Sequence, residues 1–401
     1  MKRDLTVEEQ LARGPMDLPF LMLTLMLSGI GLIMMFSASY ASALYDESVG
    51  YNPTYYIARQ AIFAVGGVAV MYLVSKLNYQ WFRWMSVFAL AGAILLLIAV
   101  LIPGIHTNRS DGVKRWIAVP GIGTFQPSEL VKVAVILYFA ARLSKRDTEK
   151  KHKFDLRKPS GRFLGWLERI GFLELIPYVA ILAVIAVLML MEPHMSGTIL
   201  ILVAAASILF AGGIKLYWFF IGGAGVVGAL AFVITQTDYM ARRIALWLNP
   251  WEEPLQGGFQ TIQSLYAVGS GGLLGVGLGK SRQKFLYLPE PENDYVFAIV
   301  CEELGYLGAA IVLILFALLI IRGYWIAVHA RDRFGALLVV GITTQIAVQV
   351  FLNIAVITNM IPVTGISLPF FSYGGTALLI QLAEMGVVLG VSRQIPAPRQ
   401  G

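Results

Sequence analysis

LPFLMLTLMLSGIGLIMMFSA, residues 18–38, runs 21 positions without one charged side chain. At about 1.5 Å of rise per residue, a helix of that length crosses the roughly 30 Å hydrocarbon layer of a bilayer. Lys2 and Arg3 precede it and Ala41-Ser42-Ala43 follows, which resembles a secretory leader. A leader's apolar core is only about 7–15 residues long, so the run reads as a retained first span. Working outward, comparable runs fall at 55–75, 82–102, 126–143, 175–191, 195–212, 216–236, 294–321, 335–359 and 366–392. Composition agrees: 57% of the 401 residues are hydrophobic and 14% charged, too little polar surface to coat soluble domains of this size. The expected fold is an all-α integral membrane protein of ten transmembrane helices. A soluble enzyme, a disordered chain and a single-anchor protein are excluded.

The formal charge is +7, but placement matters more than the sum, and no nucleic-acid partner is read from it. With the N-terminus cytoplasmic, most of the 31 Lys and Arg fall on inside segments, above all 142–173 with Lys145, Arg146, Lys150, Lys151, Lys153, Arg157 and Lys158. Basic residues beside span ends are held inside, so both termini are expected there: a tail 1–17, one domain 18–393 and a tail 394–401. Asp147, Glu149, Asp155 and Glu168 make 142–173 a solvated, lipid-facing loop rather than a partner site. The outside segments become 39–54, 103–125, 237–293 and 360–365. In the long 237–293 loop, residues 239–247 read as a short amphipathic helix. The single cysteine, Cys301, reads as structural and forms no intrachain disulfide.

Ionisable groups within spans are candidate functional groups, because leaving them unpaired in lipid costs several kcal/mol, on the order of 3. Arg59, near the outer end of its span, is equally well explained by snorkelling. Glu384 is expected to hydrogen-bond to a neighbouring helix. Two clusters remain. The first is Asp111-Gly112-Val113-Lys114-Arg115-Trp116-Ile117 followed by Phe125-Gln126-Pro127-Ser128-Glu129-Leu130-Val131-Lys132. Glu129 and Lys132 stand at i and i+3 and can pair, either for packing or for function. Lys114 and Arg115 are positive on the outside, against the topological bias.

The second cluster is Pro289-Glu290-Pro291-Glu292-Asn293-Asp294-Tyr295-Val296-Phe297, then Cys301-Glu302-Glu303-Leu304-Gly305. Asp294 is placed in the first turn of its span, where the helix dipole favours a carboxylate. It is a cap or a reactive group. Glu302 and Glu303 lie about 12–14 Å deeper along the axis and need a partner, for which Lys132 is the candidate. Gly275-Val276-Gly277-Leu278-Gly279-Lys280-Ser281 mimics a phosphate-binding loop, but Leu274 stands where glycine is required. A flexible glycine-rich loop is the expectation.

The segments Gly112 to Ile117, Phe125 to Leu130, Pro291 to Ala298, Glu302-Glu303-Leu304-Gly305 and Ile361 to Gly375 resemble signature motifs of the SEDS family of FtsW, RodA and SpoVE. The likeness runs over about residues 18–393. Glu192-Pro193-His194-Met195-Ser196-Gly197-Thr198 resembles the FtsW/SpoVE branch of Gram-positive bacteria. The resemblance implies a multi-pass protein of the bacterial cytoplasmic membrane. It would be a peptidoglycan glycosyltransferase that polymerises lipid II into glycan strands at the outer face. Implied partners are lipid II, the nascent glycan strand, a class B penicillin-binding protein (the transpeptidase) and division or related wall-synthesis proteins. It further implies Asp294 as the catalytic residue. The substrate-binding candidates are Lys114, Arg115, Glu129, Lys132 and Glu303. Lys114, Arg115 and Lys132 are assigned to the pyrophosphate, a task a divalent cation can share, although no dedicated metal cage and no other cofactor is read from the sequence. Glu292-Asn293 and Tyr295 depart from the commoner family pattern without removing the carboxylate. Gly374-Gly375 opens a tight turn or a broken helix toward the outer cavity, or serves helix packing. A lipid II flippase lined by the same motifs, or a scaffold for the transpeptidase, are the rival readings.

Overall fold

The computed structural model describes residues 14–103, 115–119, 123–146, 159–192, 194–236 and 238–395. The helices are α1 (Leu18–Tyr45), α2 (Tyr55–Lys76), α3 (Gln80–Leu101), α4 (Pro127–Ser144), α5 (Pro159–Ile170), α6 (Phe172–Met191), α7 (Met195–Ala211), α8 (Tyr217–Gln236), α9 (Asp238–Leu248), α10 (Phe259–Ser270), α11 (Val296–His329), α12 (Arg333–Ile357) and α13 (Gly375–Ser392). A short hairpin, β1 (Ile117–Val119) with β2 (Gly123–Phe125), pairs antiparallel with Ala118 opposite Thr124. Each of the ten expected apolar runs carries a helix. α1, α2, α3, α6, α11, α12 and α13 are long and apolar enough to cross a membrane, α7 and residues 217–228 are shorter apolar helices, and α4 carries Glu129, Lys132 and Arg142. The protein is a multi-pass helical membrane protein.

α12 and α13 form the centre. α13 packs along α2, and α12 lies against α11, α7 and α4. At the end carrying the basic segments, capping side chains tie the helices together. Asp17 caps α1 by accepting from Phe20 N at 2.9 Å, which supplies one of the orphan donors of a helix start. The same carboxylate accepts from Arg322 of α11, and the Asp17 N–H donates to Ser392 of α13. Asp332 likewise caps α12 through Gly335 N and accepts from Tyr79 and Gln80 across the α2–α3 turn. Glu384 accepts from Gln345 Nε2 at 3.1 Å, the interhelical bond expected of it.

The opposite end departs from the sequence expectations in three places. The last run becomes helical only at Gly375 rather than at residue 366. Residues 366–374 form a fold-back in which Ser372 Oγ accepts from Leu368 N at 2.7 Å, and Pro369 supplies no donor for a continuing helix. The glycine-rich segment is not a loose loop. α11 breaks at Gly305, whose φ of 67° suits a residue without Cβ. Tyr306 and Leu307 therefore donate not to Glu302 and Glu303 but to Gly272 O and Leu273 O. The released Glu302 and Glu303 carbonyls accept from Val276 and Gly277 at 3.0 Å. A Cβ on Gly305 would meet Gly275 N at 2.2 Å, so the two backbones lock.

Third, Glu302 and Glu303 find their partners in that docked segment and in Ser37 of α1, not in Lys132. Glu303 accepts from Lys284 Nζ, Ser37 Oγ and the N–H groups of Gly279 and Ser281. Glu302 accepts from Arg282 N and from the hydroxyl of Ser281. Successive backbone donors make an anion-holding nest, and here the anions are the chain's own carboxylates. Cys301 is buried and free of any disulfide.

Candidate active site

A cavity of about 540 Å³ opens at this end between the starts of α2, α4, α7 and α11, with the 365–377 segment closing one side. Pro127 begins α4, at a position where its missing N–H has no helical partner to lose. This start sets Glu129 and Lys132 one turn in, on the cavity wall. Lys132 Nζ lies 2.8 Å from Glu129 Oε2 with the lysine side chain 3% exposed, so the i, i+3 pairing is present and buried. Arg115 reaches the cavity from just before the hairpin, and its Nε donates to Glu192 O at 3.0 Å. Arg59 faces the cavity as well, with Nη1 2.6 Å from the Tyr55 hydroxyl and its guanidinium over the Tyr55 ring.

Asp294 is half-buried in the same cavity. It lies one residue ahead of the N-cap Tyr295, not within the first turn of α11 as expected. Its backbone is fastened from two sides. Asn353 Nδ2 of α12 donates to Asp294 O at 2.8 Å and to Ile366 O at 2.6 Å, and Tyr373 N donates to Glu292 O at 2.7 Å. Gly365, with φ of 68°, packs on the carboxylate, and a Cβ there would lie 3.2 Å from Asp294 Oδ2.

Beside Arg115, the turn between α6 and α7 holds two perturbed groups. Burial raises the Glu192 carboxyl to about 8, offset in part by Arg115. Burial, then the positive charges of Arg115 and Lys132, lower the His194 imidazole to about 3. His194 is neutral at pH 7 and lines the cavity next to Gln126.

The structure thus brings Asp294, Arg115, Glu129 and Lys132 to one cavity. It leaves Glu303 out, because that side chain is sealed in the Lys284 nest. Lys114 falls outside the described residues. From the sequence, Arg59 is equally well explained by snorkelling and His194 stands only within a family-like motif, while Gln349 is not singled out; all three line the cavity. The amides Gln345, Gln349 and Asn353 recur every fourth residue along α12, and that polar stripe in an apolar run was the available signal. Among the described residues no three His, Cys, Asp or Glu side chains gather as a metal-holding set. Around the cavity Glu129 is already paired with Lys132.

The family model described as "Cell cycle protein", that of FtsW, RodA and SpoVE, matches residues 18–396. The chain belongs to this family. As a member of the FtsW/RodA/SpoVE family it is 41% identical to the stage V sporulation protein E of Bacillus subtilis over 94% of its length and 97% of that protein. It is 36% identical to a probable peptidoglycan glycosyltransferase FtsW of Geobacter sulfurreducens, over 94% of this chain and 95% of the relative. The fold superposes with a TM-score of 0.73 on a chain from a solved peptidoglycan synthase complex that coordinates polymerization and crosslinking. That match is 25% identical and covers 94% of this chain and 98% of the other.

Proposed function

We propose that this member of the family is a peptidoglycan glycosyltransferase. It crosses the cytoplasmic membrane ten times with both termini inside and polymerises lipid II in the cavity at the outer face. The observation that carries the reading is that Asp294 shares one cavity with Arg115 and Lys132. The basic segment after α4 leaves the helix at the end opposite Glu129 and Lys132, which supports the cavity's outward orientation.

The donor sugar is α-linked to undecaprenyl pyrophosphate and the glycan product is β-linked, so one displacement with inversion suffices and no enzyme nucleophile is needed. The 4-hydroxyl oxygen of the acceptor GlcNAc attacks C1 of the donor MurNAc, and its proton passes to the Asp294 carboxylate. The bond from C1 to the pyrophosphate oxygen breaks, and the electron pair leaves with the lipid pyrophosphate. That leaving group is already an anion and calls for positive charge rather than a proton. Arg115 and Lys132 supply it, with Lys114 as a further candidate and Arg59 also lining the cavity; guanidinium groups grip phosphate oxygens in pairs. Glu129 holds Lys132 in place. A class B penicillin-binding protein is the proposed partner, and division or a related wall-building process the setting.

A flippase needs a polar route across the whole bilayer. Beyond Lys132, α4 continues with buried Val135, Ile136 and Phe139, which favours the polymerase. The test is strand synthesis from added lipid II by the purified chain together with its transpeptidase. Product from the wild type and none from Asp294→Asn is expected. Undiminished synthesis by Asp294→Asn would overturn the base assignment, and no product from the wild type would overturn the polymerase reading.

A further inference from the structure

Two side-chain polar atoms among the described residues of the cavity wall are buried without a hydrogen-bond partner: Ser128 Oγ and Gln349 Oε1. They differ in kind. A hydroxyl can turn to donate or accept, whereas an amide oxygen only accepts. Gln349 is 2% exposed on α12, and its Nε2 donates to Ser367 O at 2.9 Å and lies 3.2 Å from Ser367 Oγ. A carbonyl opposite the amide fixes which end is nitrogen, so Oε1 is left without a partner. A buried acceptor is costly to leave unmet, so what fills the cavity is expected to bring a donor there.

Pyrophosphate cannot be that group, since its oxygens accept only. Sugars carry the donors. Asn353, four residues or about 6 Å further along α12, holds the backbone carbonyl of Asp294, and Gln349 and Asp294 line the same cavity. On a GlcNAc ring the 2-acetamido group stands two ring carbons from the 4-hydroxyl, one position beyond the 3-hydroxyl, and its N–H only donates.

We infer that Gln349 is a sugar-recognition residue. Its Oε1 accepts a hydrogen bond from the 2-acetamido N–H of the acceptor GlcNAc while Asp294 faces that sugar's 4-hydroxyl. The assignment rests on the polymerase reading above and adds the acceptor subsite to it. The 365–367 segment, held by Gln349 and Asn353, becomes the frame that sets sugar and base in register.

The test compares two acceptors in the full-length protein with its transpeptidase. One is lipid II, and the other is an analogue whose acceptor GlcNAc carries hydrogen in place of the 2-acetamido group, so that no donor remains at that carbon. The wild type is expected to use native acceptor about tenfold better in kcat/KM, the worth of one buried hydrogen bond. Gln349→Met is expected to lose that preference by slowing on native acceptor while keeping its rate on the analogue. Equal loss on both acceptors would assign Gln349 to holding Ser367 alone and overturn the inference. Should Gln349→Met fail to fold, the wild type still decides, because equal use of both acceptors overturns the inference by itself. Absence of any glycan product from the wild type would instead strike the parent reading.

Discussion

Lys284 Nζ lies 2.9 Å from Glu303 Oε1, and both side chains are sealed from solvent. Ser37 of α1, the Gly279 carbonyl and the N–H groups of Gly279 and Ser281 complete the coordination of the pair. This clamp joins α1, α11 and the glycine-rich segment, and its Lys284 stands ten residues upstream of Asp294. A buried charge that loses its partner costs about 3–5 kcal/mol, whereas replacing both by apolar groups can be nearly neutral. Lys284→Met and Glu303→Gln are each expected to lower the melting temperature of the detergent-solubilised protein markedly. The Lys284→Met/Glu303→Leu pair is expected to recover much of the loss. Single variants that melt like the wild type would show that the clamp does not stabilise the fold.

The break in α11 makes a second demand. A methyl group at position 305 would meet Gly275 N at 2.2 Å, and the φ of 67° disfavours any side chain. Gly305→Ala is expected to prevent accumulation of folded protein. Gly66→Ala is the control: it lies within α2 with open space where the methyl would go, and a helix interior prefers alanine by about 1 kcal/mol. Equal yields of the two variants, read by size-exclusion profile, would refute the backbone lock.

What the sequence disclosed follows from which constraints are local. Lipid forbids unpaired charge along a span, so the apolar runs and the Glu129–Lys132 pair could be read from spacing alone. The Lys284–Glu303 pair could not, because its lysine sits in a segment that reads as a loop, and loop-to-helix contacts leave no periodicity. The late start of α13 was hidden because residues 366–374 are apolar although their backbone is folded by the Ser372 turn. Arg59 could be placed by depth along its span, but depth does not say which way a helix face looks. Asp294 came from motif resemblance, and its fastening by Asn353 was visible only as an amide stripe.

Glu192 and His194 give opposite pH dependences. The Glu192 carboxyl is raised from 4.5 to about 8 by burial, so the folded state binds a proton that the unfolded chain has released. Its stabilisation is complete below pH 4.5 and falls as pH rises to about 8, by about 1.4 kcal/mol per unit at most. The His194 imidazole is lowered from 6.5 to about 3, so its contribution is complete above pH 6.5 and falls as pH drops toward 3. Between pH 4.5 and 6.5 the two slopes cancel, and the pair alone gives a plateau there. Glu192→Gln is expected to flatten the decline between pH 6.5 and 8 and leave the acid limb intact. Thermal melts across that range check it, and an unchanged alkaline decline in the variant would overturn the assignment.

The buried Lys132–Glu129 pair separates charge from positioning. Lys132→Met removes a cation from the proposed pyrophosphate site and leaves Glu129 buried without its partner. The rate is expected to fall by about 10²-fold or more, as for loss of a group that stabilises a leaving anion. Glu129→Gln keeps the lysine charge and one acceptor oxygen, so the ammonium loses a charged partner without losing its place. A smaller loss is expected, about tenfold, carried in kcat rather than KM because the ammonium would be less well aimed at the departing pyrophosphate. Glu129→Gln should also keep a wild-type order of preference among lipid II variants, since it does not touch the sugar wall at Gln349. Steady-state rates of strand synthesis for both variants, beside melting temperatures to separate misfolding, check this. If Glu129→Gln proved as damaging as Lys132→Met at equal stability, the glutamate would have to act on substrate itself, and its assignment as the residue that holds Lys132 would be withdrawn.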